Sequence, residues 1–396
     1  MKTTFTFFSF CYNGCGDKVK EVRKYQLTYF VRFIGDALFY PFFALYLKSM
    51  SVPNTQIGLI LMILPLVALF VNPIWSSLSR NINDNRHIMR ILTILEAVTV
   101  IVLIQLNQTQ FIALAVVVLA IVGQPVYVLL DSYTSVFSKK RAYPYGNIRL
   151  FGSFSYGVTT IVGGVMIARL GYEETFIASA VFFALFAVAL TWILPLDIEH
   201  DTDLNIKSDP KVLLKNNKFI MFAIFYIITL GILFGGDNFL SIYFESLGVT
   251  PDQYGLIMFI FIIFEMIVLY YLSANGYKYS TRKLLLVITI TNSLRFLVYG
   301  IELPLAVYIG ISLIRSLTMG TMLYVTIRYI EEIVLPKNIT LGILVFSSFR
   351  SLFTAIVTLS GGVITDYVGY RPFYLMAAFI ALIALGFIDY QKPKVS

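Results

Sequence analysis

Cysteine and histidine are nearly missing from this sequence, two of each in 396 residues. Cys11 and Cys15 both lie in the N-terminal tail. No disulfide can staple the body, and a lone CxxxC offers too few ligands for a metal. His87 and His200 fall in polar loops, where an imidazole is a solvated surface group. A Ser-His-Asp set, an HExxH helix or a metal-ligand spacing is therefore excluded from the apolar body, and the chain reads as a non-enzyme with no cofactor. Charge is scarce as well, 13 % of residues against about 25 % in soluble proteins. Hydrophobic residues fill 58 % of the chain, and mean hydropathy is +0.80. That composition belongs in a bilayer.

A bilayer-crossing helix needs about 20 predominantly apolar residues. Such runs, punctuated by Gly, Pro, Asn and charge clusters, number twelve: 25–47, 55–77, 88–106, 111–136, 147–168, 173–194, 219–244, 254–273, 283–300, 304–327, 338–361 and 371–390. The expected class is an all-α membrane protein with two six-helix bundles, 25–194 and 219–390, joined by the polar linker 195–218. The stretch Met1–Gly16 is rich in Phe but broken by Thr, Ser, Asn and Gly. It lacks the continuous apolar core and small-residue cleavage site of a signal peptide. Residues 1–24 are expected as an N-terminal tail carrying the basic cluster Lys18, Lys20, Arg23 and Lys24, and 391–396 as a C-terminal tail.

The net charge of +8 raises nucleic acid as a partner, and its placement dismisses that partner. With twelve spans, the side holding both termini collects 21 of the 30 Lys and Arg, against Lys48, Arg169 and Arg371 on the other. Basic residues stay in the cytoplasm, so both termini are expected inside the cell membrane. The positive charge is topology.

The chain also repeats itself at half its length. Gln56-Ile57-Gly58-Leu59-Ile60 returns as Gln253-Tyr254-Gly255-Leu256-Ile257, an offset of 197. Gly163-Gly164-Val165 with Gly171-Tyr172 returns as Gly361-Gly362-Val363 with Gly369-Tyr370, and Phe151 and Ser153 return as Phe349 and Ser351, all offset by 198. Related halves in an apolar chain mark a secondary transporter, with its binding site where the halves meet.

Six arginines remain inside the spans: Arg32, Arg149, Arg295, Arg315, Arg328 and Arg350, with the acids Asp36, Glu96, Asp131, Asp237 and Glu265. Each costs about 2.5–3.5 kcal/mol at a helix centre on insertion scales, which a chain tolerates where the groups face a wet cavity and pair. Asp36, Glu265, Arg295, Arg315 and Arg350 fall about 11 to 13 residues into their spans, near mid-bilayer at 1.5 Å per residue. Asp131 ends an inward-running span and Arg149 opens the next, so the two are expected to meet. Arg32 and Asp36, spaced i,i+4, read equally well as a structural pair or a functional one. Arg328 is placed to snorkel to the interface, and Glu96 stands alone in a helix of peripheral type. Most of the 34 Phe and 26 Tyr serve packing and interfacial belts. Tyr156 is singled out because it follows Arg149 by two helical turns on the same face and could stack on a solute.

The segment Tyr145-Gly146-Asn147-Ile148-Arg149-Leu150-Phe151-Gly152-Ser153, preceded by Asp131, resembles the major facilitator superfamily. More narrowly it resembles the branch of lactose permease-like oligosaccharide:proton symporters and phenylpropionate permease-like proteins. The resemblance implies that Asp131 and Arg149 contact solute and that Tyr156 is an aromatic sugar-stacking residue. Asp237-Asn238-Phe239-Leu240-Ser241-Ile242-Tyr243-Phe244 is similar to that branch's helix-seven segment, whose acid pairs with a base. Arg295 and Arg350 match its helix-nine and helix-eleven basic residues, and Glu265 resembles the helix-eight acid of the phenylpropionate-like proteins. The likeness breaks at helix ten, where Arg315 and Thr318 replace a His and a Glu. It breaks again after helix two, where Ser76-Ser77-Leu78-Ser79-Arg80-Asn81 replaces a Gly-x-Leu-x-Asp-Arg pattern.

The expectation is a monomeric carrier of a small organic solute, a sugar or glycoside, moving with protons by alternating access. Substrate contacts would be Asp131, Arg149, Tyr156 and Asp36. The proton-coupling network would be Glu265, Asp237, Arg295, Arg315 and Arg350. Its partners would be the solute, protons and membrane lipid, with no metal. Import of an aromatic or other organic acid is the nearest alternative, followed by drug export and then by a sensor that docks without transport.

Overall fold

The computed structural model describes residues 16–79, 86–141, 143–192, 213, 215–335 and 338–388. Residues 1–15 of the expected tail, the loop after the second span, most of the linker and the expected tail 391–396 lie outside the described residues, as do Cys11, Cys15 and His200. Among the described residues there is no strand.

The first half comprises α1 (Gly16–Phe39), a 3-10 turn (Tyr40–Phe42), α2 (Phe43–Ser49), α3 (Asn54–Ser79), α4 (Arg86–Leu103), α5 (Thr109–Arg141), α6 (Tyr145–Leu170) and α7 (Tyr172–Ala189). The second comprises α8 (Asn217–Asp237), α9 (Leu240–Ser246), α10 (Pro251–Asn275), α11 (Thr281–Gly300), α12 (Leu305–Ser312), α13 (Ile314–Ile333), α14 (Ile339–Tyr367) and α15 (Tyr370–Ile383). Helix α1 begins at Gly16, within the stretch expected as a tail, because Val22 and Tyr25 are buried against neighbouring helices.

Eleven stretches are long and apolar enough to cross a membrane by length and composition. The remaining expected span, 88–106, forms α4, an 18-residue helix whose Arg86, Arg90 and Glu96 hold it outside that count. Three of the spans are interrupted. Pro41 opens the 3-10 turn between α1 and α2, where a ring without an N–H breaks the helical ladder. The break at Asn238–Phe239, between α8 and α9, is its counterpart one repeat later. A third break, at Leu313, separates α12 from α13. Gly171 (φ +108°) and Gly369 (φ +98°), also one repeat apart, end α6 and open α15 in left-handed conformations that only glycine adopts cheaply.

Within the first half α1 packs on α6 and α7, while α4 packs on α5 and α7; in the second, α8 packs on α14, and α11 on α13 and α15. The halves meet through α3 on α14 and α6 on α10. Cross-bundle hydrogen bonds among the described residues lie toward the end away from both termini. Asp366 accepts the amides of Asn54 (2.8 Å) and Thr55 (2.7 Å), satisfying the open start of α3 from the other bundle. Asn54 Nδ2 donates to the Tyr370 hydroxyl at 3.1 Å, and the Thr160 hydroxyl donates to the Gly255 carbonyl at 3.1 Å.

The repeated glycines make these contacts. A β-carbon on Gly58 would stand 2.8 Å from the Thr358 carbonyl oxygen and 3.1 Å from Gly362 Cα. A β-carbon on Gly255, one repeat later, would collide with the Thr160 carbonyl oxygen and stand 3.4 Å from Gly164 Cα. Gly58 with Thr358 and Gly362, and Gly255 with Thr160 and Gly164, are the same contact made twice. Small residues let helix backbones approach where lipid supplies no hydrophobic drive between them.

Candidate functional site

Charged side chains gather at three places within the two halves, and the first is deeply buried. On α1, Arg32 is wholly inaccessible. It clasps Glu96 of α4 through both terminal nitrogens, Nη1 to Oε2 at 2.5 Å and Nη2 to Oε1 at 2.9 Å. It also lies 3.1 Å from Asp36, one turn along α1. The rings of Tyr127 (4.8 Å) and Phe183 (4.6 Å) cover its guanidinium, a cation–π arrangement that gains strength without water. Tyr40 donates to Glu96 at 3.4 Å, and a β-carbon on Gly123 would stand 2.6 Å from Glu96 Oε1, so that glycine leaves the acid its room. Glu96, expected to stand alone, is thus the second acid on Arg32, and the i,i+4 pair is not neutral by itself.

The second place is open. Arg149 Nη1 reaches Asp131 at 3.0 Å, with the two side chains 40 % and 38 % exposed. The Tyr29 hydroxyl donates to Asp131 at 2.7 Å. Phe33 lies under the Arg149 guanidinium at 5.6 Å and meets the Tyr156 ring edge-on at 6.3 Å. An ion pair, a phenol and two rings therefore line one accessible face. Sequence reading reached Asp131, Arg149 and Tyr156. It missed Tyr29 and Phe33, whose only signal is their spacing on α1, just under one turn before Arg32 and Asp36 respectively.

The third place is in the second half. Asp237, at the end of α8, accepts from Arg295 Nη1 (2.9 Å) on α11 and from Arg315 Nε (2.6 Å) on α13. Arg315 also approaches Glu265 of α10 at 3.6 Å. Arg295 is fully buried, its Nε and Nη2 lacking hydrogen-bond partners, and it rests on Phe296 at 4.4 Å. Glu265 is 26 % exposed. Two acids and two bases leave this network neutral.

Arg350, expected in that network, is elsewhere. Its guanidinium faces the Tyr226 hydroxyl and lies 5.0 Å from the Phe234 ring, both on α8. Among the described residues it pairs with no carboxylate. Equal depth did not bring it to Asp237, because it projects from α14 toward an earlier stretch of α8. Arg328 donates to the carbonyls of Gly276 and Tyr279 (3.1 Å each) and pairs with Glu332 at 3.2 Å, tying the end of α13 to the turn after α10.

Asp36 and Arg315 both lie within electrostatic reach of Tyr156 on α6. That ring thus feels charges of both the buried cluster of the first half and the network of the second, and residues 80–85 of the loop expected to differ after helix two lie outside the described residues.

Comparison with known proteins places this geometry. The MFS_1 like family matches residues 22–376. The chain is 21 % identical over 381 residues to the "Uncharacterized transporter YwbF" of Bacillus subtilis (strain 168), covering 93 % of this chain and 94 % of that one. It is 20 % identical over 390 residues to the "Probable 3-phenylpropionic acid transporter" of Escherichia coli (strain K12), covering 95 % and 98 %. Among solved structures, a mutant of the nucleoside transporter NupG superposes with a TM-score of 0.81 at 15 % identity, covering 92 % of this chain and 98 % of that one.

Proposed function

The chain belongs to the MFS_1 like family of multi-pass membrane transporters, and from that premise we propose that it is a secondary carrier moving a small organic anion with protons by alternating access. The carrying observation is Arg350, a cation within the helix bundle with a tyrosine hydroxyl and an aromatic ring beside it and, among the described residues, no carboxylate partner. A solute carboxylate completes it, held by the guanidinium fork, and the Phe234 and Tyr226 rings suit an aromatic or alkyl body. The similarity to a 3-phenylpropionic acid transporter supports the same class.

The bundles touch toward the end away from the termini, so the cleft between them opens toward the termini. With basic residues concentrated on that side, both termini are cytoplasmic and this is the inward-open state. Glu265, held from Arg315 at 3.6 Å and partly exposed, is the acid of the second-half network best placed to exchange a proton with the cleft. Asp237 holds Arg295 and Arg315 together. The carrier works as a monomer in the cell membrane.

A second reading, a sugar or glycoside as solute, rests on the accessible Asp131–Arg149 pair with Tyr29, Phe33 and Tyr156. There the pair would bind hydroxyls and a ring would stack on the apolar sugar face. Uptake of labelled arylalkanoates and sugars into overexpressing cells, with and without a protonophore, separates the two. Arg350→Gln is expected to raise KM for the acid about 10- to 150-fold, since a hydrogen bond to a charged group contributes about 1.5–3 kcal/mol and 1.4 kcal/mol is tenfold. Arg350→Lys should recover part of that loss. Unchanged acid uptake in Arg350→Gln, with sugar accumulating in the parent, would hand the assignment to the sugar reading.

A further inference from the structure

The buried cluster of the first half does not balance. Arg32 supplies one positive charge, Asp36 and Glu96 supply two carboxylates, and all three are inaccessible to solvent. Glu96 takes both arms of the guanidinium fork, the geometry of an ionised partner. Asp36 has only an off-line approach from Arg32 at 3.1 Å, and beyond the Tyr127 hydroxyl that faces it, neither of its oxygens has a well-aligned hydrogen-bond donor. Among the described residues no second cation approaches. The groups facing Asp36 are Arg32 on its own helix, Glu96 on α4, Tyr127 on α5, Tyr156 on α6 and Tyr40 in the turn after α1. Helix α7 contributes Phe183 and Phe186, which lie over Arg32, and Ser179, whose hydroxyl is committed to the Gly35 carbonyl. An uncompensated carboxylate in such a place neutralises rather than remain charged.

We infer that Asp36 is a proton-binding site, carrying in this conformation the proton that makes the Arg32–Asp36–Glu96 cluster neutral. Glu96 is a positioning residue, since by occupying Arg32 it denies Asp36 a full ion pair. The proton leaves when Arg32 shifts from Glu96 toward Asp36, or when relative movement of α1, α4 and α6 admits water. The cluster thus ties a proton to one arrangement of helices in the first half, as Arg350 in the second half awaits a negative charge. That the bound proton is also the transported one rests on the proton-coupled reading above; that it is bound does not.

Infrared spectra of the purified full-length protein test it. The parent is expected to show a carboxylic-acid carbonyl band, shifted in D2O and present at neutral pH. Asp36→Asn should remove that band, and Glu265→Gln should leave it. Glu96→Gln should remove it too, because Asp36 then ionises against a freed Arg32; this variant keeps one acid against one base and guards against misfolding of the first. A band that survives Asp36→Asn, or no band in the parent, overturns the site. In proteoliposomes, Asp36→Asn should also lose the roughly tenfold accumulation per pH unit expected of one-to-one proton symport. Loss of the band with pH-driven accumulation intact would support the site and overturn its part in coupling.

Discussion

Replacing Arg32 with glutamine is expected to destabilise the protein by about 3–5 kcal/mol, the cost of removing one partner from a buried ion pair. Arg32 is fully buried and serves two carboxylates at once. Its loss leaves Asp36 and Glu96 facing each other in a pocket walled by Tyr127, Phe183 and Phe186. Two protons would then be needed where one sufficed, and the rings lose the cation they cover. The control is Arg149→Gln. That pair is 40 % and 38 % exposed, so water solvates the remaining Asp131 and the loss should stay below about 1 kcal/mol. Heat-induced unfolding of the purified proteins in detergent measures both. Arg32→Gln combined with Glu96→Gln should recover most of the lost stability, since a single protonated Asp36 remains. Equal unfolding temperatures for Arg32→Gln and Arg149→Gln would show that the cluster is hydrated and would remove the basis for a resident proton.

The same contrast marks what could be read from residues alone. Helix lengths, and the uneven distribution of Lys and Arg, follow from hydropathy and need no partner. The pairing of Asp131 with Arg149 was legible because a short turn joins the end of α5 to the start of α6. The repeat was legible as a pattern, though not the reason for it, which is that Gly58 and Gly255 occupy equivalent backbone contacts. Glu96 was not legible. Its partner is 64 residues away, and a helix seen by itself gives no sign of which neighbour its single acid faces. Arg350 was misplaced for a related reason. Counting residues fixes height along a helix, whereas each residue also turns about 100° around it. Arg350, counted to the same depth as Arg315, faces Tyr226 and Phe234 instead of Asp237.

Gly255→Leu is expected to cut transport by about 5- to 150-fold while leaving the protein folded. The added β-carbon would meet the Thr160 carbonyl oxygen and Gly164 Cα of the opposite bundle. Both are main-chain atoms that cannot turn aside. The clash lies between the bundles, so neither core is opened. Overpacking of this kind costs about 1–3 kcal/mol, and here it falls only on the state in which the bundles touch at this end. A penalty of that size changes the occupancy of one state against the other by about 5- to 150-fold. Gly58→Leu makes the corresponding collision with Thr358 and Gly362, so the two variants should behave alike. A cysteine placed at Tyr156, with Cys11 and Cys15 replaced by serine, reports the change through labelling by a membrane-impermeant thiol reagent added outside. Labelling should be slow with the glycines intact and about 5- to 150-fold faster with either leucine, because the carrier is then held open outward. If Gly255→Leu abolished transport with labelling still slow, the glycine contact would serve assembly of the two bundles and not their alternation. If only one of the two leucines acted, the repeated contact would not be functionally symmetric.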